Sequence, residues 1–148
     1  MQTTSLLLLA LYLFSSNALS QSPFDGTWVI DTAKNENLAS EKPRVLSVAD
    51  GVFREGDRQI KADGSDQKVP ATGYWDTVSV RIVDDRTVEI ISKKAGKVTY
   101  TETDTVSADG NTLTKVMKDT TEAEAVTFES DFRRIAPTPA GAHAVSGS

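Results

Sequence analysis

Apolar and polar residues alternate one by one along most of this chain, and a period of two confines it to extended strands with one buried face. Val78, Val80 and Ile82 stand opposite Thr77, Ser79 and Arg81. Val126, Phe128 and Phe132 stand likewise opposite Glu129, Asp131 and Arg133, so each run has a core face and a solvent face. Trp28 and Ile30 share the core face of the first run. β-Branched residues fill these stretches, because their stiff side chains pack well on a pleated surface. The pattern predicts strands at Thr27–Thr32, Arg44–Val48, Val52–Arg54, Arg58–Ala62, Asp76–Asp84, Thr87–Lys93, Lys97–Ser107, Thr112–Asp119 and Ala125–Ile135.

The punctuation between strands is as regular as the strands. Ala-Asp-Gly occurs at 49–51, 62–64 and 108–110. Asp-Gly is a turn pair in which both positions tolerate positive φ, so the repeated tripeptide reads as hairpin chemistry. A calcium loop at Asp63-Gly64-Ser65-Asp66 would need further oxygen ligands and a closing Glu, which this segment lacks. Hairpin links make the fold all-β, an antiparallel up-and-down meander of about eight strands. Open edges would invite pairing with other chains, so a closed or partly closed barrel is predicted. A two-layer sandwich needs longer crossovers than most of these links provide.

Two stretches depart from the strand pattern. Ala33–Lys42 (AKNENLASEK) is polar and reads as one helical turn or a loop over one end. Residues 63–76 form a long connection carrying Tyr74-Trp75, and loops of that length often carry function. The aromatic pair either plugs the barrel end or forms the lip of a binding site.

The ends read differently from the middle. Ser5–Phe14 is a ten-residue apolar run followed by SSNALS, with Ala18 and Ser20 at small-residue positions. That is a signal peptide over residues 1–20, too short to span a bilayer comfortably, although its n-region lacks Lys and Arg. A domain over residues 21–135 follows, then APTPAGAHAVSGS at 136–148, a flexible linker or the truncated start of a second unit. The expected location is therefore outside the cytoplasm, periplasmic or secreted. No stable membrane insertion is expected once the signal is removed.

Charge and missing residue types narrow the function. Residues 1–20 carry no charge, so the mature chain of about 128 residues keeps the net charge of −5, which disfavours nucleic acid and anionic membranes as partners. There is no cysteine and one histidine, His143, in the linker-like tail. Disulfides, thiolate nucleophiles and multi-histidine metal sites are excluded, and no cofactor is expected. One catalytic option remains, a carboxylate pair for sugar hydrolysis, with Glu102 and Asp104 as candidates about 6.5–7 Å apart at Cβ.

Those two acids lie in the most informative strand. Val98, Tyr100, Glu102, Asp104 and Val106 share one face of residues 97–107, and Thr99, Thr101, Thr103 and Thr105 share the other. If the even face points inward, Glu102 and Asp104 need partners, for which Arg81, Lys115, Arg133 and Arg134 are available. A polar-lined cavity for a small ligand follows. Otherwise the acids sit in water at the barrel rim.

Gly26-Thr27-Trp28, preceded by Phe24-Asp25, resembles the Gly-x-Trp opening of lipocalin-type barrels. That resemblance implies a lipocalin-like barrel in which Trp28 seals one end beneath an arginine from a late strand, Arg133 or Arg134. The family's C-terminal helix and usual disulfide have no counterpart here. PFDGTW, KADGSDQKV and DTVSVRIVDDRTVEI through ETDTVSADGNTLT also resemble uncharacterised exported bacterial β-rich proteins, over most of residues 23–135. This second likeness implies an exported domain, continuing into a related unit in other members, and carries over no catalytic residue.

The expected function is an exported, non-catalytic barrel domain that binds a small apolar or amphipathic ligand. The candidate ligand-binding residues are Tyr74, Trp75, Arg81, Tyr100 and Glu102. The alternative is a structural or envelope-associated interaction domain without a cavity, using its sheet faces or threonine row for contact.

Overall fold

The computed structural model describes residues 21–35, 38 and 41–137. The predicted signal peptide and the tail from residue 138, His143 included, lie outside the described residues. Ten strands follow one another: β1 (Gly26–Ile30), β2 (Arg44–Ala49), β3 (Val52–Glu55), β4 (Arg58–Lys61), β5 (Gln67–Lys68), β6 (Thr77–Asp84), β7 (Thr87–Lys94), β8 (Lys97–Val106), β9 (Thr112–Asp119) and β10 (Val126–Ala136). Among the described residues there is no helix.

All pairings are antiparallel, in the order β4-β3-β2-β1-β10-β9-β8-β7-β6-β5. The first and last strands pair, Ile30 opposite Phe132, so the gap in the sheet falls in mid-chain between β4 and β5. There the sheet curls until Asp63 and Arg81 form a single bridge and the Gly64 N–H donates to the Val80 carbonyl at 2.8 Å. The result is a nearly closed barrel, the predicted meander with ten strands in place of about eight.

The added strand, β5, lies inside the predicted 63–76 connection, where two residues are too few to show alternation. Gln67 completes the seam with its side chain. Its Oε1 accepts the Lys61 N–H at 2.9 Å, and its Nε2 donates to the Lys61 carbonyl at 2.8 Å. One side-chain amide thus supplies the pairing that the backbones of β4 and β5 do not make. The first strand stops at Ile30 because Asp31 begins a turn, its carbonyl accepting the Lys34 and Asn35 N–H groups.

The Asp-Gly pairs turn the chain in two ways. Asp50 and Gly51 both have positive φ, 53° and 69°, the mirror-image turn that matches strand twist. At Asp63 and Asp109 the side chain accepts the N–H two residues on, from Ser65 and Asn111, and the glycine alone has positive φ.

Large apolar side chains, among them Phe24, Trp28, Leu46, Phe53 and Leu113, fill one end of the barrel. Trp28 is fully buried, donates its indole N–H to the Phe24 carbonyl at 3.0 Å and lies beneath Arg134, whose Cζ is 4.3 Å from the ring centroid. The Arg134 guanidinium also donates to the carbonyls of Pro23, Asp25 and Gly110. Asp25 accepts the Ser22 and Val48 N–H groups, which ties the N-terminal turn to β2. This end is a plug.

Candidate functional site

Away from the plug, the inward positions of the same strands turn from apolar to charged. On β9, Leu113 and Lys115 are both buried; on β8, Val106 and Asp104 are buried and Glu102 is partly so. Even parity on β8 does point inward, as one of the two sequence readings had it, and the rim placement of Asp104 is excluded by its complete burial. Parity slips once. Thr99 is the extra residue of a bulge in β8, opposite Ser92 and Lys93 of β7, and is tucked in, where its hydroxyl donates to the Ser92 carbonyl at 3.1 Å. Thr99 thereby leaves the predicted outward threonine row.

Lys115 is the centre of the cluster. Its Nζ lies 3.0 Å from Glu102 Oε1, 3.0 Å from Asp104 Oδ2 and 3.3 Å from Glu55 Oε1. Glu55 also pairs with Arg44 at 3.2 Å and with Arg58, and Arg44 reaches Glu41 at 2.7 Å. Of the partners proposed for the two acids, Lys115 is the one used. Arg134 is committed to the plug, and Arg81 pairs with Glu89 at 3.0 Å on the exposed outer face of β6 and β7.

Burial and charge act on these groups in opposite directions. Burial pushes the Asp104 carboxyl up to about 8, against the pull of Lys115 and reinforced by Glu102. At Glu55 burial opposes the charge too, but Lys115, Arg58 and Arg44 outweigh it and hold the group down at about 2. Lys115 itself is raised above the ordinary lysine range, because Asp104, Glu102 and Glu55 outweigh the cost of burial. Asp104 therefore carries a proton at neutral pH, while Glu55 and Lys115 are charged. Lys115 approaches the buried Asp104 carboxyl at Oδ2, at ion-pair distance.

A pocket of about 300 Å³ opens beside this cluster. Its charged lining is Glu41, Arg44, Glu102 and Lys115, and its apolar lining is Ile30, Leu38, Met117, Phe128 and Phe132. Arg44 lies over the Phe132 ring, 5.5 Å from its centroid. A second pocket, of about 330 Å³, lies under Gln21–Phe24 at the plugged end; Asp84 and Asp85 face it and no cation lines it.

Of the five predicted ligand residues, only Glu102 lines the pocket. Tyr100 stands two residues along the same strand and forms an aromatic triad with Tyr74 and Trp75, with ring centroids 6.0 to 6.4 Å apart. Trp75 is half-buried against the core, whereas Tyr74 is 59% exposed. Arg81 is not brought to the site.

Arg44, Met117 and Phe128 were not picked out by sequence reasoning. Phe128 was assigned to the core by alternation, yet it is 48% exposed and lines the pocket. The cause is strand length. β1 pairs only with residues 132–136 of β10, so Phe128 has a strand neighbour on one side alone.

Fold and site together define a nearly closed antiparallel barrel, plugged at one end and charged within near the other. No family model, curated protein or solved structure matches this chain.

Proposed function

We propose that the chain is an exported, non-catalytic barrel domain that captures a small amphipathic molecule in the pocket beside Lys115. The observation carrying this reading is the pocket's two-sided lining, with Met117, Phe128 and Phe132 on its apolar side and Arg44, Glu102 and Lys115 on its charged side. Concave sites with a mostly apolar wall and a few converging polar groups are the usual form of small-molecule sites. Export rests on the apolar run Ser5–Phe14 and the small residues Ala18 and Ser20. Asp104 is fully buried, so it and Glu102 are not placed to flank a sugar linkage, which supports a binding role over hydrolysis.

Native mass spectrometry on protein purified from its own exported fraction tests the reading. A co-purifying small molecule, lost in Phe128→Asp, is the expected result. A bare polypeptide mass, combined with no calorimetric response to amphipathic probes, overturns it.

A further inference from the structure

The charged wall of the pocket does not treat the two signs alike. Glu41, Arg44, Glu102 and Lys115 line it, and behind them the cluster continues through Glu55, Arg58 and the buried, protonated Asp104. The cations are committed: Lys115 stands among three acids, Arg44 is shared by Glu41 and Glu55, and Arg58 is on Glu55. Unused capacity lies with the acids. Glu41 gives Oε2 to Arg44, and its side chain remains 50% exposed where it lines the pocket. Glu102 gives Oε1 to Lys115, and its side chain remains 23% exposed where it lines the pocket.

We infer that the pocket takes an amphipathic organic cation, a protonated amine whose ammonium reaches Glu102 while its apolar body lies against Met117, Phe128 and Phe132. The inference rests on the ligand-binding reading above and adds the sign of the ligand's charge. An entering ammonium meets the part-exposed carboxylates of Glu41 and Glu102, and its N–H groups suit a wall whose spare capacity is in acceptors. The exposed Phe128 ring offers a π face to the same charge. A carboxylate head would instead meet Glu41 and Glu102 with every nearby cation already paired.

Isothermal titration at neutral pH with three probes of one chain length, octylammonium, 1-octanol and octanoate, tests this on the full protein. Octylammonium should bind tightest and octanoate weakest. Glu102→Gln should weaken octylammonium by roughly 10-fold or more, the worth of a charge-assisted hydrogen bond, and leave 1-octanol unchanged. Octanol or octanoate binding as tightly as octylammonium, or a Glu102→Gln protein with unchanged ranking, overturns the cation preference while leaving the pocket itself in place. Binding of none of the three overturns the ligand-binding reading and this inference with it. If Glu102→Gln does not fold, the ranking on the wild-type protein decides the matter alone.

Discussion

Gly26 stands where β1 passes under the plug, and its missing side chain is what lets Arg134 reach the backbone there. A Cβ at this position would lie 2.5 Å from Arg134 Nη1 and 2.8 Å from the Ala136 carbonyl oxygen, with φ at 155°. The arginine head can shift but the strand carbonyl cannot do so freely, so Gly26→Ala should cost about 2 kcal/mol in urea unfolding. Lys115 and Asp104 make a sharper pair of expectations. Removing the lysine as Lys115→Met leaves Glu55, Glu102 and Asp104 together with too little positive charge, and should cost about 3–5 kcal/mol. Asp104→Asn keeps the shape of the protonated acid without its titration, so it should change stability by less than about 1 kcal/mol below about pH 4 and be the more stable protein at pH 7. Equal losses in the two variants would show that Asp104 is ionised in the folded protein. At this scale the sequence was readable in part. Parity put Glu102 and Asp104 on one face and left Lys115 among four possible partners, but choosing among them requires knowing that β9 lies beside β8 with Lys115 opposite Asp104.

Strands long enough to alternate announced themselves, and β9 runs over the predicted residues without change. Elements that depend on something other than alternation did not. β5 is two residues long and is held to β4 through the Gln67 amide, and the β8 bulge at Thr99 shifts parity at a point where the sequence shows no break. Arg44 and Phe128 were missed for a related reason: they line the pocket where β1 is short, with Arg44 of β2 over Phe132 of β10, which depends on how the strands pair. The connection before β6 was legible as unusual, and the structure separates its two aromatics. Trp75 packs on the core and against Tyr100, whereas Tyr74 is mostly in solvent. Trp75→Ala should therefore cost about 2–3 kcal/mol and Tyr74→Ala less than about 1 kcal/mol in urea unfolding. Neither residue lines the pocket, so neither variant should change the affinity for octylammonium measured by titration. A stable Trp75→Ala protein with weakened binding would move the ligand site to this loop.

The whole barrel runs from a dry apolar plug to a charged interior, and that gradient sets how the fold responds to pH. Asp104 has an ordinary carboxyl value of 3.8 when unfolded and is pushed up to about 8 by burial when folded. It binds its proton more tightly in the folded state, so its contribution is complete below about pH 4 and is lost as pH rises towards 8. Glu55 works the other way. Burial is outweighed by Lys115, Arg58 and Arg44, which hold it at about 2 against an ordinary 4.5, so its contribution is present above 4.5 and lost as pH falls towards 2. Lys115, raised above its ordinary 10.5, adds a contribution that is complete below that value and disappears only in strong alkali. The two carboxyl groups leave a stability maximum on the acid side, between about pH 4 and 5, below the neutral optimum of many domains. Thermal melts followed by circular dichroism should show Tm falling by several degrees between pH 5 and pH 8.5. Asp104→Asn should flatten that limb and leave the acid limb intact, because Glu55 is untouched. A wild-type Tm that is level from pH 5 to pH 9 would mean that Lys115 keeps Asp104 ionised throughout, and that the interior of the barrel carries one more negative charge at neutral pH than its buried proton allows.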